Sequence, residues 1–119
     1  MSKISNWTYV SPAAVTDTAD DAAKAAPGAG FRNVVKSAQV YNNHATVNTL
    51  VVIKSGSTIL WEGFVLSVAG PGTQGNSVVF DPPLRAAENE AINVANITTG
   101  SSTFFNLQGW VERINEPAQ

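Results

Sequence analysis

The stretch that most limits what this chain can become is Phe31–Phe64, FRNVVKSAQVYNNHATVNTLVVIKSGSTILWEGF. It is rich in β-branched and aromatic residues and broken twice by turn-forming groups, which predicts three strands and two reversals. On an extended chain, alternate side chains point to opposite faces. Phe31, Asn33, Val35, Ser37, Gln39 and Tyr41 would then share one face, and Arg32, Val34, Lys36, Ala38, Val40 and Asn42 the other. Neither set is purely apolar, so the alternation is imperfect. Asn42-Asn43-His44 reads as a turn. Val47–Lys54 follows as a strand with an apolar centre, Leu50-Val51-Val52-Ile53. Ser55-Gly56, between apolar runs, is a hairpin signal, and Thr58–Trp61 is the returning strand. That register sets Ile59-Leu60-Trp61 beside the Val51-Val52-Ile53 run. Gly63 is read as a bulge or bend.

The flanks carry the same short-strand pattern. Residues 1–19 are read as an extended N-terminal arm with one short strand. In it Trp7 and Tyr9 face the same side, either as an edge strand of the domain or as an arm docking on a neighbouring subunit. Residues 16–30 read as a short strand ending at Pro27-Gly28, with one helical turn as the alternative, because DDAAKAA is too short for a stable helix. The composition of residues 69–77 (AGPGTQGNS) is that of a loop. Ser77–Phe80 reads as a strand stopped by Pro82 and Pro83, which cannot donate to a ladder. RAAENE (85–90) suits a helical turn. Ile92, Val94 and Asn96 share one side of a further strand. In the last strand, Thr103–Arg113, Phe105, Leu107 and Gly109 oppose Phe104, Asn106, Gln108 and Trp110. Seven or eight short strands separated by turn chemistry predict an all-β, antiparallel β-sandwich of jelly-roll type. The domain is expected over 20–114, with 115–119 a loose tail.

With 119 residues, one domain with a real core is expected. There are no cysteines, which removes disulfides and thiolate metal sites. Charged residues make up only 13% of the chain, about half the usual share, so much of the surface must be Ser, Thr, Asn, Gln, Gly and Ala. The seven basic residues fall singly along the chain, a poor footprint for nucleic acid. No apolar run approaches the roughly 20 residues of a membrane span, and MSKISNWTYV lacks an apolar signal-peptide segment. No membrane or nucleic-acid partner is expected, and synthesis in the cytoplasm is.

Chemistry is hard to place on these residues. The single histidine, His44, sits in a turn without a positioned partner. Serines are many, but no GxSxG elbow occurs. Asp17, Asp20 and Asp21 lack the glycine and closing glutamate of a calcium loop and read as a solvated acidic turn. Gly70-Pro71-Gly72 has neither the lysine nor the helix of a phosphate loop. No enzyme activity, metal or cofactor is therefore expected. Of the three tryptophans, Trp61 and Trp110 are read as core and Trp7 as the exposed one, suited to sugar stacking or to anchoring the arm.

Five phrases recur in a telling order: PGAG-F-R (27–32), N-x-x-A-T (42–46), K-x-G-S-x-x-L-W (54–61), F-x-x-P-L-R (80–85) and N-x-x-G-W (106–110). In this order, over about three-quarters of the chain, the sequence resembles small virion structural proteins of tailed bacteriophages. These include capsid decoration (cement) proteins, head fibres and related tail components. The resemblance implies a jelly-roll sandwich like that of tumour necrosis factor, commonly trimeric, on the virion surface. It implies the major capsid protein as partner, with a surface glycan as the partner of a fibre module. Residues 1–24 fall outside the match; Trp7, Tyr9 and Val10 are the expected partner contacts because aromatic anchors dominate interfaces.

Overall fold

The computed structural model describes residues 3–66 and 75–114, and among these every regular element is a strand. In chain order they are β1 (Lys3–Val10), β2 (Asp21–Lys24), β3 (Phe31–Asn42), β4 (Thr49–Ser55), β5 (Thr58–Val65), β6 (Gly75–Arg85), β7 (Ile92–Asn96) and β8 (Thr103–Arg113). They form two antiparallel four-stranded sheets, ordered β1-β8-β3-β6 and β2-β7-β4-β5. The two inner faces meet in one core, which makes the chain a β-sandwich. Val35, Ala38, Val40, Phe105 and Leu107 from the first sheet pack against Val51, Ile53, Val65, Ile92 and Val94 from the second.

The imperfect alternation of β3 has a physical cause. Val35 lies opposite Gly109 and Ser37 opposite Gln108, so Lys36 is an extra residue with no counterpart on β8. This bulge shifts the phase of the strand. Asn33 and Val35 face the core before it, and Ala38, Val40 and Asn42 after it. Two half-apolar faces in the sequence thus become one apolar face in the fold. A second bulge leaves Leu60 unmatched, because Trp61 opposes Ile53 while Ile59 opposes Lys54. The expected bend at Gly63 is not there. Gly63 is paired with Val51, and its lack of a side chain makes room for the Trp61 ring. The β4–β5 turn itself is Gly56-Ser57, with Gly56 at φ 58°, the first-position glycine of a II′ hairpin.

Other expectations are corrected. β6 does not stop at the prolines but begins earlier, at Gly75, and runs to Arg85. It is the edge strand of its sheet, and its pairing with β3 jumps from Val79 to Leu84, leaving Pro82 and Pro83 where no ladder bond is lost. The 85–90 segment forms no helical turn. It is a loop held by Ala86 N–H to Asn33 O, Ala87 N–H to Ser55 Oγ and Asn89 N–H to Phe31 O. Asp21–Lys24 is the short strand and not the helical turn. The rest of the 69–77 loop and the 115–119 tail lie outside the described residues.

Buried asparagines tie the turns to the sandwich. Asn42 donates to Val47 O at 2.6 Å and accepts from His44 N–H and Ser102 N–H at 3.0 and 3.2 Å. Asn96 donates to Val15 O at 2.8 Å. Asn33 donates to Ala25 O and Glu90 O, both at 3.1 Å. Each amide thus bonds backbone groups of a neighbouring loop or turn.

Gly109 is the tightest point of the fold. A β-carbon there would collide with the Val34 carbonyl and meet the Trp7 ring at 2.9 Å. Backbone cannot move aside as a side-chain tip can. Gly109→Ala is therefore expected to cost about 3 kcal/mol, at the upper end of overpacking penalties. Thermal and urea unfolding of the variant measure this; an unchanged midpoint would contradict the packing described.

Candidate functional site

The histidine and several acidic side chains of the described residues stand in separate contacts with other parts of the fold. Among the described residues, no group of three or more His, Cys, Asp or Glu stands close enough to hold a metal ion. His44 Nδ1 accepts hydrogen bonds from the Thr46 and Val47 N–H groups at 3.1 and 3.0 Å, so its ring closes a turn. Glu88 accepts from Gly30 N–H at 2.8 Å, and Glu90 accepts from the Ser55 hydroxyl. Asp20 pairs with Lys54 at 2.8 Å. These groups are committed to structure. No helix among the described residues is long and apolar enough to cross a membrane.

The chemically distinctive surfaces are the two outer sheet faces. On the β2-β7-β4-β5 sheet, Leu50 lies opposite Phe64, and Ile97 N–H bonds to Leu50 O. Leu50 of β4, Phe64 of β5 and Ile97, one residue past the end of β7, therefore run side by side, with Leu66 two residues beyond Phe64. Their exposures are 38%, 54%, 48% and 43%. The outer face of the β1-β8-β3-β6 sheet is different. Gln39 and Ser37 of β3 stand beside Asn106 and Gln108 of β8, with Thr8 and Asn6 of β1 on the far side. One end carries Tyr41 stacked on Phe104, with centroids 5.1 Å apart. The other carries Trp110, with the Lys3 ammonium 4.4 Å from its ring centre.

Beside Trp110 lies a compact ion cluster. Glu112 accepts from Arg32 Nε at 2.6 Å and from Arg85 Nε at 3.1 Å, and Trp110 Nε1–H points to its other oxygen at 3.4 Å. Glu112 is only 2% exposed. Burial alone would raise its pKa, but the Arg32, Arg85 and Trp110 hydrogen bonds together outweigh burial and leave it below the ordinary carboxylate value.

The tryptophans have exchanged their expected places. Trp110 is on the outer face and Trp7 packs on the core, its indole nitrogen buried without a partner. Trp61 is against the core as expected, edge-on to Phe80 at 5.6 Å. Of the expected partner contacts, Trp7 and Tyr9 turn inward from β1, a paired edge strand, and only Val10 stands out, at 62% exposure. The outer-face amides and the basic end went unnoticed in the sequence because they come from β1, β3, β6 and β8; the signal available was the alternation of polar residues along β8. Compared with models of known protein families and with curated proteins, the chain matches none.

Because Glu112 binds its proton less readily folded than unfolded, it contributes stability above the ordinary carboxylate pKa of 4.5, and loses it as the pH falls through its lower folded value. Chemical denaturation between pH 7 and pH 3 should show this loss setting in below 4.5. Glu112→Gln should be less stable by about 2 kcal/mol at pH 7 and should lose less on acidification, since the arginines are partly solvated. Parallel pH profiles for the two proteins would refute it.

Proposed function

We propose that this chain is a non-enzymatic virion structural protein of a tailed bacteriophage, a capsid decoration protein that binds the major capsid protein and stabilises the shell. The strip of Leu50, Phe64, Ile97 and Leu66 carries this reading. Four adjacent apolar side chains on an outer sheet face suit burial against a partner, and a surface poor in charge loses little to charge desolvation. The strand orders β1-β8-β3-β6 and β2-β7-β4-β5 support a jelly-roll type of sandwich, as two interleaved Greek keys give this arrangement. The resemblance of residues 25–111 to phage virion proteins supports the same assignment and a trimeric state. Repetition over many lattice positions makes modest contacts collective.

The reading is tested by cosedimentation with purified phage heads that lack the protein. Burying a Leu or Phe contributes about 1.5–3 kcal/mol. Leu50→Asp with Phe64→Asp is therefore expected to lower occupancy at least about tenfold, with circular dichroism unchanged because both side chains point outward. Full occupancy by the double variant would reject the strip as the contact, and failure of the unaltered protein to bind heads would reject the function.

A second reading, a carbohydrate-binding module of a head or tail fibre, is favoured by the amide and hydroxyl row on the opposite face.

A further inference from the structure

We propose that the outer face of the β1-β8-β3-β6 sheet binds an acidic polysaccharide, laid along β8 from the Tyr41–Phe104 pair to Trp110. This goes beyond capsid binding and uses the opposite face of the sandwich. Two shallow depressions meet on it. One, of about 260 Å³, is lined by Ser37, Gln39, Ser77, Asn106 and Gln108. The other, of about 310 Å³, is lined by Lys3, Asn6, Thr8, Lys36, Gln108 and Trp110. Gln108 belongs to both, so they form one continuous furrow. Phe104 and Trp110 are six residues apart on one strand, about 20 Å at the usual rise, which is the span of a short oligosaccharide and not of a single sugar.

The floor is chemically unspent. The side chains of Asn6, Thr8, Ser37, Asn106 and Gln108 make no hydrogen bond among the described residues, and Gln39 makes only a long one, 3.5 Å, to Ser77. Amides offer both donors and acceptors, which is what a row of sugar hydroxyls requires. Flanking rings supply the apolar faces on which pyranoses stack.

Charge selects the class of sugar. Lys3 and Lys36 line the depression at the Trp110 end, beside the cluster in which Glu112 accepts from Arg32 and Arg85. Lys3 and Lys36 are in no ion pair among the described residues, so the Trp110 end presents two ammonium groups to a ligand. Of the other described acids, Asp17, Asp20, Asp21, Glu62, Glu88 and Glu90 lie on β2, on β5 or in loops, and Asp81 of β6 is the one further carboxylate on this sheet. The positive end thus favours carboxylate-bearing sugars. A nucleic-acid strand fits less well, because its phosphates would cross the uncharged middle of the furrow, where Ser37, Gln39, Asn106 and Gln108 offer no cation.

The test is NMR titration and calorimetry of the whole chain with hexasaccharides of galacturonate, mannuronate and hyaluronan, a neutral galactose hexasaccharide, and an oligothymidylate. At least one acidic hexasaccharide should shift the side-chain amides of Asn106 and Gln108 and the Trp110 indole signal. It should bind at least tenfold tighter than the neutral one. Gln108→Ala and Lys36→Glu should each weaken it about tenfold while leaving the amide spectrum elsewhere unchanged. Absence of binding by all three acidic sugars, binding indifferent to both substitutions, or tighter binding of oligothymidylate at the same residues would overturn the proposal. None of these outcomes depends on capsid binding, so the two assignments stand or fall separately.

Discussion

The sandwich depends on the pairing of β3 with β8, the two central strands of the first sheet. Their eleven matched positions run from Phe31 opposite Arg113 to Asn42 opposite Thr103. β1 and β6 are added to their outer edges, so an error of register here would propagate to the whole sheet. The bulge at Lys36 makes the pairing compatible with a single core: it turns Val35 and Val40 to the same side although they are five residues apart. Gly109 completes the arrangement, because only a residue without a side chain fits between the Val34 carbonyl and the Trp7 ring. The N-x-x-G-W phrase thus has a steric reason for its glycine.

Much of this was legible in the chain. β8 alternates without interruption, so its two side-chain sets were separable as Phe105, Leu107 and Gly109 against Phe104, Asn106, Gln108 and Trp110, although which set faces inward was not. The Gly56 hairpin and the β7 alternation were equally clear, since local turn chemistry and a two-residue period determine them. The phase change in β3 was not readable, because a bulge leaves no mark beyond an alternation that fails. The exchange between Trp7 and Trp110 was hidden for a related reason. Trp110 follows glycine in a strand where every second residue is polar, and its partner set, Asn6 and Val34, is known only once register is known. β6 was cut short because proline was judged by what it cannot donate, when an unpaired stretch of an edge strand requires no donation.

The outer surfaces were least legible of all. The cations at Lys3, Arg32, Lys36 and Arg85 look scattered over more than 80 residues, yet antiparallel pairing brings them to one end of one sheet. Glu112 is central there, since one oxygen of its carboxylate accepts from both arginines. The same folding puts apolar side chains on the opposite outer face. The sandwich therefore presents two unlike walls, one with an apolar strip and one lined by amides and hydroxyls, and this division is the basis of both proposals.

Interstrand nuclear Overhauser effects between β3 and β8 test the central claim most directly. The account predicts cross-strand contacts placing Val35 opposite Gly109 and Ser37 opposite Gln108, with no partner for Lys36. Continuous pairing, with Lys36 opposite Gln108 and Ser37 opposite Leu107, would contradict it, for then Ala38 and Val40 could not share the core with Val35.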